Sequence, residues 1–127
     1  MKIAVIGSRT FNDAALLENT LLEKLDINAV TGLVSGGAQG ADSLAEAFAV
    51  KYGLPVQIFK PDWKQFGRGA GVIRNKQIIA VSDQVIAFWD GKSKGTLNSI
   101  NLAKKLCKPL ILVEYNYASN FYLGEPS

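Results

Sequence analysis

Five short apolar runs rich in β-branched residues recur along the chain, at residues 2–6, 32–35, 56–60, 84–89 and 109–113. Their near-continuous apolarity predicts strands buried on both faces, because a strand with one wet face alternates apolar and polar positions. Between these runs the spacing changes to the helical period. Residues 13–25 place Leu16, Leu17, Leu21 and Leu25 on one face, residues 42–52 end at Gly53 and Pro55, and residues 71–82 and 97–106 complete the set. Strands alternating with helices predict an α/β fold, a single Rossmann-like three-layer sandwich with a mainly parallel five-stranded sheet and right-handed crossovers. A chain of 127 residues without a repeat or linker fits one domain, 1–127, with 114–127 as an aromatic C-terminal extension.

If the first strand is central, with the second and third strands to one side and the fourth and fifth to the other, the order reverses between strands one and four. Ligands of open sheets bind in that crevice. The loops meeting there carry Gly7, Ser8 and Arg9, then the turn Ser35-Gly36-Gly37-Ala38-Gln39-Gly40-Ala41-Asp42, then the turn Asp90-Gly91-Lys92-Ser93-Lys94-Gly95-Thr96. Each glycine turn follows an apolar run and opens an amphipathic segment, so unpaired N–H groups of a helix start would face an anion there. Gly37, lacking a side chain, is expected to leave room for a phosphate oxygen. Neither turn has the spacing of a Walker loop or of the dinucleotide fingerprint.

Composition narrows the chemistry. The chain has no histidine, which removes Ser-His and Cys-His nucleophile pairs and His-rich metal sites. No metal and no cofactor is expected. The single cysteine, Cys107, cannot pair internally and reads as a buried core residue in a reducing compartment. The apolar start is too short for a signal peptide or a membrane span, so the expectation is a cytoplasmic protein with no membrane partner. A net charge of +3 without a long basic run suits a small anionic ligand and argues against nucleic acid as the partner.

The series Gly7-Ser8-Arg9, residues 35–42, Asp62-Trp63 with Phe66-Gly67, Ala70-Gly71, Arg74-Asn75, and Gly91 with Gly95-Thr96 resembles the cpYpsA-related, YspA-like SLOG family over about the first hundred residues. That superfamily includes the Lonely Guy phosphoribohydrolases and DprA, and the resemblance implies a Rossmann-like fold and a nucleotide-type ligand. At the position of the Lonely Guy catalytic glutamate this chain has Ser99. A serine cannot supply the anion that would stabilise an oxocarbenium-like sugar.

The candidate ligand-binding residues are Gly7, Ser8, Arg9, Ser35, Gly36, Gly37, Ala38, Gly40, Asp42, Trp63, Arg74, Asn75, Asp90, Gly91, Ser93, Gly95 and Thr96. Arg74 offers a planar charged fork to a phosphate or purine, and Asn75 can read a base edge or ribose hydroxyl. Trp63 and Phe66 are either a lid that stacks on a base or a plug over the core. Thr96 is either a helix N-cap or a phosphate ligand, or both, and Asp42 either a cap or a ribose ligand. The aromatic tail, with Tyr115, Tyr117, Phe121 and Tyr122, is either a homodimer contact or a flap over its own core.

The first functional reading is a module that senses, carries or sequesters a nucleotide-derived small molecule. The alternative is an N-glycosidase or phosphoribohydrolase-like enzyme acting on nucleoside phosphates, with Asp90, Asp42 and Arg74 as catalytic candidates. A second alternative is single-stranded nucleic-acid binding of the DprA kind.

Overall fold

The computed structural model describes residues 1–115. It contains five strands, β1 (Lys2–Gly7), β2 (Gly32–Ser35), β3 (Val56–Ile58), β4 (Gln84–Trp89) and β5 (Leu110–Glu114). They form one parallel sheet in the order β3-β2-β1-β4-β5. The helices are α1 (Ala14–Lys24), α2 (Ala41–Tyr52), the single turn α3 (Trp63–Phe66), α4 (Ala70–Val81) and α5 (Lys94–Lys105). The α/β fold with a central β1 and an order that reverses beside it is the one the sequence pattern predicts.

Alternate residues of β1, β2 and β4 serve opposite layers, which is why these strands read as unbroken apolar runs. The edge strands β3 and β5 are only partly covered, with Ile58 and Leu112 exposed, so burial on both faces holds for the three inner strands alone. Ile3 and Val5 of β1, Leu33, Ile86 and Phe88 pack with Leu17 and Leu21 of α1 and Ala45, Phe48 and Ala49 of α2. Ala4 and Ile6, Val34, Val85 and Ala87 face the other way, against Ile78 and Ile79 of α4 and Ile100 and Ala103 of α5. Small residues at Ala4, Ala87 and Ala103 let α4 and α5 approach the sheet on that side.

Three local expectations change. Helix α5 starts earlier than residue 97: Ser93 is its N-cap and accepts the Thr96 N–H on Oγ, which leaves Gly95 and Thr96 inside the first turn. Serine competes well for that cap, and the polar first turn gave no hydrophobic signal to mark it. Residues 63–66 form α3 rather than loop, capped by Asp62 Oδ1 on the Gln65 N–H. Cys107 is exposed, not buried. It sits just past α5 at φ 54°, with the Cys107 N–H on Lys104 O and the Lys108 N–H on Ala103 O. That pattern closes a helix in the left-handed conformation, a place usually held by glycine, so the cysteine is there as a stop and not as filling.

Tyr115 does not join an exposed patch. It is buried and its ring lies 4.9 Å from that of Phe11. Tyr117, Phe121 and Tyr122 lie outside the described residues. Among the described residues no helix is long and apolar enough to cross a membrane.

Candidate ligand site at the strand-order reversal

The C-terminal ends of β1, β2 and β4 open into a cavity of about 430 Å³, lined from the β1–α1, β2–α2 and β4–α5 connections and from α4. Ligand cavities typically start at about 300 Å³. The first connection is fixed by packing. Ser8 N–H bonds to Phe88 O and Phe11 N–H turns back to Ser8 O, while the Phe11 ring is fully buried and stacked 4.8 Å from Phe88. With Phe11 pinned, Ser8 is held inward on the cavity wall and Arg9 stays exposed at its rim.

The second connection touches the first backbone to backbone. Gly40 has φ 78°, and a β-carbon there would collide with the carbonyls of Ser8 and Arg9. Gly40 is thus needed for close approach of two loops. It is also the N-cap of α2 and, having no side chain, caps none of that helix's leading N–H groups. Asp42, buried in the first turn of α2, accepts the Ala38 N–H on Oδ2. Burial raises its pKa above the ordinary carboxylate value, against the opposing pull of the Ala38 N–H and the Arg74 charge.

Asp90 behaves in the opposite way. Partial burial pushes its pKa up, but the N–H groups of Ser93 and Lys92 and the nearby Ser8 hydroxyl outweigh this and hold it below the usual value. Its Oδ1 accepts both N–H groups at 2.8 Å, so the carboxylate shapes the turn into α5. Ser8 is 2% exposed, and its hydroxyl lies near Asp90 but makes no hydrogen bond of ordinary geometry among the described residues. A buried hydroxyl left this way is uncommon and asks for a partner.

Arg74 enters from α4. Its Nη1 donates to Gly36 O at 2.8 Å and its Nε to Asn75 Oδ1 at 3.1 Å. Burial lowers its pKa, Asp42 pulls it back up, and Arg9 pushes it down as a like charge. Two guanidinium groups therefore repel each other at one cavity. Asn75 lines the cavity too, but its amide nitrogen donates to Asn98 Oδ1 at 3.1 Å while its oxygen holds Arg74. It joins α4 to α5 and orients the arginine.

Of the residues singled out from sequence, Gly7, Ser8, Arg9, Ala38, Asp42, Arg74, Asn75, Asp90, Ser93, Gly95 and Thr96 line this cavity. Ser35, Gly36, Gly37, Gly40, Trp63 and Gly91 do not. Ser35 is buried beneath the turn and bonds to Glu46. Gly36 lies under Arg74 and Asp42: a β-carbon on it would be 2.5 Å from Arg74 Nη1 and 2.9 Å from Asp42 Oδ2. Gly37, at φ 70°, turns the other way, its missing β-carbon facing Ile58 and Lys60. The space it leaves opens toward Ile58 and Lys60 and not into this cavity. Trp63 is 57% exposed and neither plugs the core nor lines the cavity. Ile6, Thr10, Ile78 and Ser99 line it without having been named as ligand residues. For Ile6 and Ile78 the sequence held no signal, since they read as core.

The profile of the YspA, cpYpsA-related SLOG family matches residues 1–66, which carry both the Gly-Ser-Arg loop and the glycine turn into α2. The chain belongs to this family. It is 31% identical over 118 residues to the Gene 61 protein of Mycobacterium phage D29, covering 87% of this chain and 94% of that one. Among solved structures it is similar to DNA processing protein A from Helicobacter pylori, with a TM-score of 0.68, 28% identity and coverage of 88% of this chain and 64% of that one. A DprA structure from Streptococcus pneumoniae shares the fold, with a TM-score of 0.72, 20% identity and coverage of 87% and 49%. The chain thus spans under two thirds of either solved structure. The Helicobacter protein is described by its single-stranded DNA binding mode, which overturns the expectation from net charge that nucleic acid is not a partner of this fold. Net charge was a poor guide because the sum over the chain says nothing of where individual charged and donor groups are placed around one cavity, here Arg9 and Arg74 alongside Asp42 and Asp90.

Proposed function

We propose that the cavity binds the phosphate of a nucleotide-type ligand. The observation that carries this reading is the buried Ser8 hydroxyl, near Asp90 but without a hydrogen bond of ordinary geometry among the described residues, on a wall shared with Arg9, Arg74 and the uncapped start of α2. An anion placed there would take the hydroxyl as donor, relieve the repulsion between the arginines and meet the positive end of a helix. Of the five N–H donors of Arg74, two are committed to Gly36 and Asn75, leaving three for the ligand. Calorimetry with thymidine, thymidine monophosphate and inorganic phosphate tests the reading. Binding that requires the phosphate and is lost in Ser8→Ala with Arg9→Ala supports it; equal binding of thymidine and its monophosphate overturns it.

A second reading has its own support in the likeness to the Helicobacter protein: the phosphate belongs to a single strand of DNA. The same donors would then grip one link of a backbone. Anisotropy of a labelled oligothymidylate across a salt series tests it, because a strand releases counterions and the logarithm of its affinity falls with a slope of about −0.7 per neutralised phosphate.

A further inference from the structure

A second cavity, of about 360 Å³, lies between the end of β3, α3 and α4, and Arg74 is a wall of both cavities. The two differ in chemistry. The first gathers hydroxyls, charges and helix starts; the second presents Ile58, Phe59, Ile73 and the exposed ring of Phe66, with the amides of Gln65 and Gln77 at its border. Among the described residues its one cation besides Arg74 is Lys60, and Asp62 stands in the same wall. That mixture is poorly suited to a free anion. It suits a flat heterocycle, which gains from an aromatic face and offers edge donors and acceptors to amides. Phe66 being 41% exposed on a one-turn helix also gives a ring that is accessible without unpacking the core.

We infer that this second cavity seats a base joined through the phosphate at Arg74, so that the ligand is a nucleotide chain at least two units long. The inference rests on the phosphate reading of the first cavity. Arg74 then marks the phosphodiester link: Nη1 and Nε hold Gly36 and Asn75, and its remaining donors are left for the bridging phosphate. A mononucleotide would fill the first cavity and leave Phe66 untouched. A dinucleotide would use both.

The probes are thymidine monophosphate, the 5′-phosphorylated thymidine dinucleotide and a ten-residue oligothymidylate, titrated against the parent, Phe66→Ala and Phe66→Trp. The dinucleotide should bind the parent about tenfold more tightly than the monophosphate, the scale of one stacked base. Phe66→Ala should erase most of that gain and leave the monophosphate affinity unchanged, while Phe66→Trp keeps it. A gain complete at two units assigns the subsite to a free dinucleotide, and one that grows to ten assigns it to a strand; both support the subsite. Equal affinity of monophosphate and dinucleotide, or equal losses for both in Phe66→Ala, overturns the second subsite and leaves the first reading standing. Failure of every probe to bind overturns both.

Discussion

The Arg74 guanidinium donates to the Gly36 carbonyl at 2.8 Å, which ties a residue of α4 to the turn that opens α2, 38 positions earlier in the chain. One bond thereby orders an arginine at the cavity and fixes the loop across from it. Arg74→Ala should lower affinity for thymidine monophosphate by about 1.5–3 kcal/mol, the scale of hydrogen bonds to a charged group. It should also reduce stability by about 1 kcal/mol, because the Gly36 carbonyl loses its donor. Arg74→Lys should recover part of each, since an ammonium cannot span Gly36, Asn75 and a ligand at once. Calorimetric titration with a parallel urea melt separates the two effects, and parent-like binding by both variants would make Arg74 a structural strut only.

The three glycines of the turn into α2 should respond differently to substitution. Gly36→Ala places a methyl 2.5 Å from Arg74 Nη1 and 2.9 Å from Asp42 Oδ2, both side-chain atoms, so the arginine gives way and binding falls while the fold persists. Gly40→Ala meets two main-chain carbonyls at φ 78° and should destabilise the protein by several times as much. Gly37→Val, at φ 70° with Ile58 2.9 Å from the new β-carbon, should act on stability first and on binding only through it. Thermal melts and phosphate-ligand titrations of the three variants give the ranking; a Gly37→Val that melts like the parent but has lost its ligand would reverse it.

Much of this architecture was legible because the signals were local. Apolar runs bounded by glycine, proline or polar residues marked every strand, and the reversal of order beside β1 followed from taking that strand as central. The convergence of Ser8, Asp42 and Thr96 on one cavity followed from the same topology, whereas Arg74 was singled out by resemblance to the family pattern. The direction in which a glycine's empty side faces is set by tertiary packing, which is why the sequence could not show that Gly37 faces Ile58 and Lys60 while Gly36 lies against Arg74 and Asp42. Asn75 shows the same limit: its sequence context suggested a ligand reader, whereas the contact with Asn98 on α5 commits its amide. Cys107 was misplaced because composition ranks cysteine as buried, whereas the Cys107 and Lys108 N–H bonds that end α5 set its position.

The two cavity aspartates should give stability profiles of opposite slope. Asp42 has a pKa raised by burial, so the folded protein binds its proton more tightly than the unfolded chain does, and stability falls as pH rises from the ordinary carboxylate range through the raised value. Asp90 has a lowered pKa, held down by the Ser93 and Lys92 N–H groups against partial burial. Its contribution is complete above the ordinary carboxylate range and is lost as pH falls through the lowered value. Urea midpoints measured from acid to neutral pH should therefore show Asp42→Asn gaining on the parent as pH rises and Asp90→Asn falling behind it. Slopes of the same sign for the two variants would show that one of the two environments has been misread.

Ser99 is buried at 3% exposure, lines the cavity and lies one turn along α5 from Thr96. It offers a hydroxyl where a carboxylate would be needed to stabilise positive charge developing on a sugar. Neither neighbouring aspartate is placed to substitute easily, because Asp90 Oδ1 is bound by two N–H groups and Asp42 is buried beneath Ala38. The parent should therefore bind a nucleoside monophosphate and release free base very slowly. Ser99→Glu should raise that release, while the added anion weakens ground-state affinity by repelling the phosphate. Chromatographic measurement of free base for the parent, Ser99→Glu, Asp90→Asn and Asp42→Asn checks the scheme. Rapid turnover by the parent that disappears in either asparagine variant would instead make the cavity a hydrolase site with an aspartate at work, and the slow binding protein described by Ser99 would be the wrong reading.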